Sequence, residues 1–206
     1  MKSFVSFVLK KELNTKGHKV MHKGTQRIYI ILFQVEFIHL RFESIQMDKV
    51  YLGIGTNLGN RKVNLRKAVR MIGENIGRIL DSSSVYETAP WGFEAETDFL
   101  NMVVRVETNY SPAEVMKKIT GIELLLGRER NQDRYSSRVI DIDILLFDDL
   151  VINENGLKIP HPLMHERKFV LVPFNEIAPD ILHPVLKMTI ASLLRDCRDR
   201  SRIIKI

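Results

Sequence analysis

Five consecutive residues, Ile140-Asp141-Ile142-Asp143-Ile144, limit what this chain can fold into more than any other stretch. Side chains of a strand point to alternate faces, so the run predicts a strand with its isoleucines on a core face and both aspartates on the other. At about 3.3 Å per residue the aspartate Cα atoms stand about 6.5 Å apart, so their oxygens can converge on one divalent ion or bridge a close pair. Two carboxylates side by side resist joint ionisation unless something positive joins them. Oxygen ligands of this kind suit Mg²⁺, which keeps several waters and takes one or two carboxylates together with substrate phosphates. Just upstream, Arg128, Arg130, Arg134 and Arg138 fall in a polar stretch, and guanidinium forks grip phosphate oxygens in pairs. Residues 127–149 therefore read as a Mg²⁺-nucleotide site, or as a solvated acidic strand face with surface arginines beside it. The stretch alone leaves both readings open.

Composition narrows the choice of ligand. The 206 residues are 45% hydrophobic and 27% charged, room for one domain of about 150 residues plus an appendage. The net charge of +6 is concentrated at one end: residues 1–46 hold eight Lys/Arg against three Asp/Glu, leaving 23 against 22 in residues 47–206. A near-neutral domain offers no broad positive surface to nucleic acid, so the arginines serve one small phosphorylated ligand. The single cysteine, Cys197, excludes an internal disulfide and fits a reducing, cytoplasmic setting. In residues 1–46 the apolar runs are short, and the one at residues 28–33 is broken by Gln34, Glu36, His39 and Arg41. That is well before the roughly 20 apolar residues of a membrane helix, and no cleavage site follows the first run. Neither a membrane span nor a targeting signal is expected. Residues 1–46 read as an extension of unknown role, such as a mis-assigned start would add, and residues 47–206 as the working domain. A monomer or weak dimer is expected.

The rest of the domain follows from periodicity. Residues 48–55 predict a first strand, and the glycine-rich turn after it leads into a helix with Leu65, Ala68, Val69, Ile72 and Ile76 on one face and Gly77 as its stop. Residues 78–85 predict a second strand. This order imitates a dinucleotide-binding fold, but after Gly53 and Gly55 the fingerprint needs glycine where the chain has Leu58. Residues 101–107 predict a third strand. Ser111 and Pro112 start a second helix whose buried stripe is Val115, Met116, Ile119, Ile122, Leu125 and Leu126. The aspartate strand comes next, then a hairpin return over residues 153–159, with helical spacing again at residues 169–177 and 189–194. Strand-helix-strand-strand-helix-strand is the order of an α+β, ferredoxin-like βαββαβ sandwich, an antiparallel sheet with helices packed on it.

Two loops carry further chemistry. Residues 87–101 bring Trp91, Phe93 and Phe99 together with Asn101, whose amide offers the paired donor and acceptor that a flat heterocycle needs. Each aromatic taken alone also fits a residue closing the edge of the core. Residues 159–169 add His161, His165, Arg167 and Phe169. No His-Glu-x-x-His motif is present and prolines flank His161, which argues against zinc. The histidines read as phosphate or nucleobase contacts, or as hydrogen-bonded structural residues.

The segments GTNLGNR, VYETAPWG, DFLN, ELLLGRER, RVIDIDILLFDD and IPHPLMHERKFVLVP, in this order across residues 47–179, resemble the 6-hydroxymethyl-7,8-dihydropterin pyrophosphokinase family of folate biosynthesis. The resemblance implies a transferase that moves the terminal diphosphate of ATP to the pterin hydroxymethyl group and releases AMP. It implies Asp141 and Asp143 as ligands of two Mg²⁺ ions, and these with Arg128 and Arg138 as the catalytic set. ATP contacts are implied at Glu123, Arg128, Arg130, Arg138, Ile144, His161 and Arg167. The pterin is implied between Phe99 and Phe169, with Asn101 and the backbone from Thr88 and Ala89 to Trp91 along its edge, and Tyr135 over it. Phe99, Thr120, Asn131 and Tyr135 stand where familiar members carry tyrosine, glutamine, a basic residue and tryptophan. No Walker A sequence is present, so the arginine stretch and Mg²⁺ must hold the nucleotide, with residues 130–137 as a loop able to close over the phosphates. A competing class, a non-catalytic nucleotide- or pterin-binding module, does not need the whole set of Asp141, Asp143, Arg128 and Arg138.

Overall fold

Strand β1, Asp48–Thr56, is the axis of the sheet, and its sequence alternates for that role. Val50, Leu52 and Ile54 fill one face, while Tyr51, Gly53 and Gly55 turn to the other. The computed structural model describes residues 47–92, 95–128, 137–154 and 156–206. Helix α1, Arg61–Asn75, is capped by the Asn60 side chain, which accepts from the Val63 N–H. Strands β2, Arg78–Ser82, and β3, Tyr86–Thr88, precede β4, Phe99–Thr108. Helix α2, Pro112–Leu125, starts with a full capping box between Ser111 and Glu114. Strand β5, Asp141–Phe147, carries the aspartates. A hairpin of β6, Ile152–Glu154, and β7, Leu157–Ile159, follows, then α3, Lys168–Ile177, α4, Ile190–Asp196, and β8, Ile203–Lys205.

The sheet order is β5-β1-β4-β3-β8, with β2 also on β4, and every pairing is antiparallel. This is the expected α+β arrangement, with one refinement. The predicted second strand is two pieces: β2 pairs the far half of β4, β3 pairs the near half, and Ser83 leaves the ladder to bond Val103 between them. Helices α1 and α2 cover one face, burying Leu65, Ala68, Ile72, Val115, Ile119 and Ile122 against Ile142, Ile144 and Phe147. Helices α3 and α4 cover part of the other, where Leu171, Phe174 and Ile190 pack on Tyr51, Val103 and Leu146. A bulge at Leu145, where Leu52 follows Tyr51 but pairs with Ile144 rather than Leu145, turns both Leu145 and Leu146 to that second face. The strict alternation of β5 therefore ends after Ile144.

Gly77 has a different role from the one its position suggested. Its backbone is not among the left-handed glycines of the described residues. A Cβ there would lie 2.1 Å from the Glu107 carbonyl oxygen, so glycine is needed for close approach of α1 to β4. No helix among the described residues is long and apolar enough to cross a membrane.

At the sheet edge, Glu176 of α3 binds β8 and the β2–β3 break together. Its carboxylate accepts from Ser84 N–H at 2.7 Å, Ser84 Oγ at 2.8 Å, Tyr86 Oη at 3.2 Å and Lys205 Nζ at 2.8 Å. Burial alone would raise its pKa, but the bonds from Lys205 and Ser84 together hold it down to about 2. A depressed carboxylate stabilises the fold above its unfolded pKa and stops doing so as pH falls through its folded value. After solvent screening the contribution is about 1 kcal/mol. Urea unfolding of wild type and Glu176→Gln should show that gap at pH 6 and its disappearance as pH falls from about 4.5 toward 2; a gap that ignores pH would rule out this account.

Candidate active site

The register of three central strands builds the floor of the site. Gly55 of β1 lies opposite Asn101 of β4 on one side and Asp141 of β5 on the other. Gly53 likewise separates Val103 from Asp143. With no side chain in the middle row, a cleft of about 260 Å³ opens on the α3 face, running from the aspartates to Asn101. A Cβ on Gly55 would come 3.0 Å from Asn101 Oδ1, and one on Gly53 would meet Leu145 at 3.3 Å. The glycines that mimicked a dinucleotide fingerprint are thus floor residues, required because anything larger fills the cleft.

At the acidic end, Asp141 is held by two cations. Arg128 Nη1 lies 2.7 Å from its Oδ1, and Arg138 Nη1 2.6 Å from its Oδ2. Glu123 of α2, 5% exposed, lies beneath: its Oε1 accepts from Arg128 and, at 2.8 Å, from the Ile142 N–H. Burial raises the Glu123 pKa while Arg128 and the Ile142 N–H oppose it. Asp143 points into the cleft. Among the described residues no lysine or arginine nitrogen pairs with it, and the ring of His161 approaches only to 4.0 Å. Burial on the floor and repulsion from Asp141 hold Asp143 well above the usual carboxylate range. Nearly half of its side chain faces the open cleft, where water softens both the desolvation and the repulsion by its neighbour.

His161 is set by the backbone. Its N–H donates to Leu145 C=O at 2.9 Å, and its Nδ1 accepts from Leu163 N–H at 3.2 Å. Burial and Arg167 push its pKa down to about 4, so the ring is neutral with its proton on Nε2, facing Asp143. Arg167 stacks over Trp91 at 4.9 Å and Phe169 at 5.7 Å. Its Nε is buried with no hydrogen-bond partner among the described residues. A half-buried arginine whose buried Nε is unanswered among the described residues fits an anion arriving in the cleft.

The other end of the cleft is aromatic. Phe99, Trp91 and Phe169 line it with Thr88 and Ala89. Asn101 is 6% exposed, and its Nδ2 donates to Thr88 Oγ1 at 2.8 Å. That bond fixes the amide and identifies Thr88 as a residue that orients Asn101.

Most of the residues implied by resemblance thus meet in one place: Thr88, Ala89, Trp91, Phe99, Asn101, Arg128, Arg138, Asp141, Asp143, His161, Arg167 and Phe169 all line the cleft. Two of the implied ATP contacts, Ile144 and Glu123, are not among the residues that line the cleft. Ile144 is 3% exposed and packs in the core on the opposite face, because the alternation that sends Asp143 to the cleft sends its neighbour away. Glu123 reaches the site only from below, through Arg128. Arg130, Asn131, Arg134 and Tyr135, with the rest of the closing loop up to residue 136, and Phe93 lie outside the described residues. Sequence reasoning overlooked Thr56, Asn57 and Asn64, which bond the segment leading into β5. Their signal was the polar run directly after an apolar strand.

The acid chemistry also fits a divalent cation. Asp143 lacks a cationic partner among the described residues while standing beside a second carboxylate, and hard oxygen donors of this kind are what Mg²⁺ takes.

The family model for 7,8-dihydro-6-hydroxymethylpterin-pyrophosphokinase (HPPK) matches residues 51–179. A 2-amino-4-hydroxy-6-hydroxymethyldihydropteridine pyrophosphokinase of Aquifex aeolicus (strain VF5) is 40% identical over 141 residues, 68% of this chain and 87% of that protein. The protein of the same name from Porphyromonas gingivalis is 42% identical over 141 residues, 67% of this chain and 95% of that protein. Among solved structures, wild-type Plasmodium falciparum HPPK-DHPS superposes with a TM-score of 0.61 at 20% identity. The match covers 73% of this chain but only 44% of that longer one, and it speaks for the fold alone. With a model match over residues 51–179 and relatives about 40% identical along nearly their full length, this chain belongs to the HPPK family.

Proposed function

We propose that the cleft transfers the terminal diphosphate of ATP to the hydroxymethyl group of 6-hydroxymethyl-7,8-dihydropterin, releasing AMP. The observation that carries this reading is the glycine-floored cleft joining an aromatic, amide-bearing end to an end with two carboxylates and three arginines. The pterin lies at the first end, against Phe99 and Phe169, with Asn101 Oδ1 free to accept from the heterocycle after Thr88 has taken its Nδ2. The phosphate chain lies at the second. The pterin hydroxymethyl oxygen attacks the β-phosphorus and gives up its proton to solvent, the bond from that phosphorus to the α–β bridging oxygen breaks, and the bridging oxygen leaves on AMP.

The protein does no covalent work, so positioning and charge carry the rate. Arg128 and Arg138 each bring a guanidinium nitrogen to Asp141, and the planar guanidinium fork suits phosphate oxygens equally. Arg167 supplies the buried Nε, and His161 a neutral N–H donor. Glu123 acts on ATP indirectly by holding Arg128. Asp141 and Asp143 are the residues that would hold Mg²⁺, two ions by the family resemblance. When bound, Mg²⁺ neutralises the phosphate chain and polarises the group being transferred.

We further propose that residues 47–206 contain the whole activity, that residues 1–46 are dispensable, and that the protein works in the cytoplasm as a monomer or weak dimer on these small molecules. Incubation with ATP, Mg²⁺ and the hydroxymethyl dihydropterin should yield AMP and the pterin diphosphate in equal amounts. Binding of both ligands without AMP would leave only a binding module.

A further inference from the structure

We propose that Asn57 is a positioning residue for Arg138, and that Thr97 ties that position to the aromatic loop. The inference rests on the functional reading above and adds residues that reading does not use.

Asn57 follows β1 at the cleft end of the strand and is 1% exposed. All four of its polar groups are spent on two loops. Its N–H donates to Arg138 C=O at 3.1 Å, and its Oδ1 accepts from Arg138 N–H at 2.7 Å. These two bonds close a ring that grips the Arg138 backbone from both sides. Its Nδ2 donates to Ser137 Oγ at 2.9 Å. Its C=O accepts from Thr97 Oγ1 at 2.6 Å. The neighbours complete the hold: Thr56 Oγ1 donates to Val139 C=O at 2.5 Å, and Asn64 Nδ2 to the same oxygen at 3.2 Å.

The need is physical. Residues 137–140 belong to no strand or helix, yet buried backbone groups must be paired. Asn57 and its neighbours supply the partners that a sheet ladder would otherwise provide. An arginine has a long, rotamer-rich side chain, so a guanidinium can be aimed only if its backbone is fixed. Arg138 then reaches Asp141 at 2.6 Å. Asparagine suits the place because its side chain accepts and donates at once. On the other side, Thr97 and Asp98 lead directly into Phe99. The Asp98 carbonyl accepts from Arg61 at 2.7 Å, and Arg61 pairs with Glu87 at 2.9 Å. One buried side chain and its backbone therefore join the segment that aims a phosphate-gripping arginine to the segment that presents the stacking ring.

The test is a double-mutant cycle on kcat, with melting temperature measured beside it. Asn57→Ala should lower kcat roughly 10- to 100-fold, the scale on which a misplacement of about 1 Å acts. In an Arg138→Ala background the same change should cost nothing further, because there is no guanidinium left to aim. Asn57→Asp, which keeps an acceptor for the Arg138 N–H, should recover part of the loss. Losses that multiply in the double variant would overturn the proposal and leave Asn57 a purely structural residue. If Asn57→Ala fails to fold, Thr97→Val takes its place: a several-fold loss is expected on wild type and none on Arg138→Ala, and equal losses on both would again overturn it. If wild type releases no AMP, the functional reading falls by itself. The same cycle run on the affinity for a non-hydrolysable ATP analogue with Mg²⁺ then decides the role of Asn57, coupling supporting it and additivity refuting it.

Discussion

Asp143→Asn is expected to lower turnover by about a thousandfold or more, several kcal/mol of transition-state stabilisation at 1.36 kcal/mol per factor of ten, while the metal-free protein melts no lower than wild type. The combination follows from where Asp143 stands. Its side chain lies on the cleft face of β5, away from the core residues Ile142 and Ile144, so no packing is lost. It has no lysine or arginine partner among the described residues and is repelled by Asp141, so the amide removes a repulsion and breaks no ion pair. Asp141→Asn should lose comparable activity but differ in stability, because it releases Arg128 and Arg138 from the carboxylate that now separates their charges. A titration with Mn²⁺ and an ATP analogue, read by water proton relaxation, should show weakened metal binding in both variants. Near-normal turnover, or unchanged metal binding, in either variant would remove that residue from the proposed Mg²⁺ site.

The second large effect falls on stability. Glu123→Ala should cost about 3–5 kcal/mol in urea unfolding, the scale for removing one partner of a buried ion pair. Its carboxylate is 5% exposed and answers both the Arg128 guanidinium and the Ile142 N–H. Without it a backbone donor inside the sheet goes unpaired, and among the described residues Arg128 keeps only the Asp141 ion pair. Glu123→Gln keeps an acceptor for Ile142 and should cost well under half as much. Equal losses in the two variants would show that charge, not hydrogen bonding, is what Glu123 supplies. Because Arg128 is held from below by this residue, ATP affinity should fall along with stability in Glu123→Ala. An unchanged affinity would separate Glu123 from the site.

The alternation of isoleucine and aspartate was enough to assign both faces of β5, since a strand offers a side chain only two directions. The same rule applies to Ile144. Its place in the family's motif suggested a nucleotide contact, but its parity with Ile142 already sent its side chain to the core. Ser111 and Pro112 announced α2, and the structure has the complete capping box there, because caps are made by residues three apart and are visible locally. Gly77 shows where local reasoning stops. A glycine after a helix reads as a left-handed stop, whereas here the deciding neighbour is the carbonyl of Glu107, thirty residues away in the chain and 2.1 Å from where a Cβ would stand.

The sequence by itself determined the α+β class, the face on which the aspartates lie and, through its ordered motifs, the family. Periodicity and motif order are properties of neighbours along the chain, and one linear string holds them in full. Only the tertiary structure decided that Gly53 and Gly55 are the floor of a cleft, that Thr88 orients Asn101, and that Asn57 holds Arg138. Those facts depend on strand register and on contacts between residues up to ninety apart, and a register that slips by one residue would reverse every face in the sheet while leaving the sequence pattern unchanged.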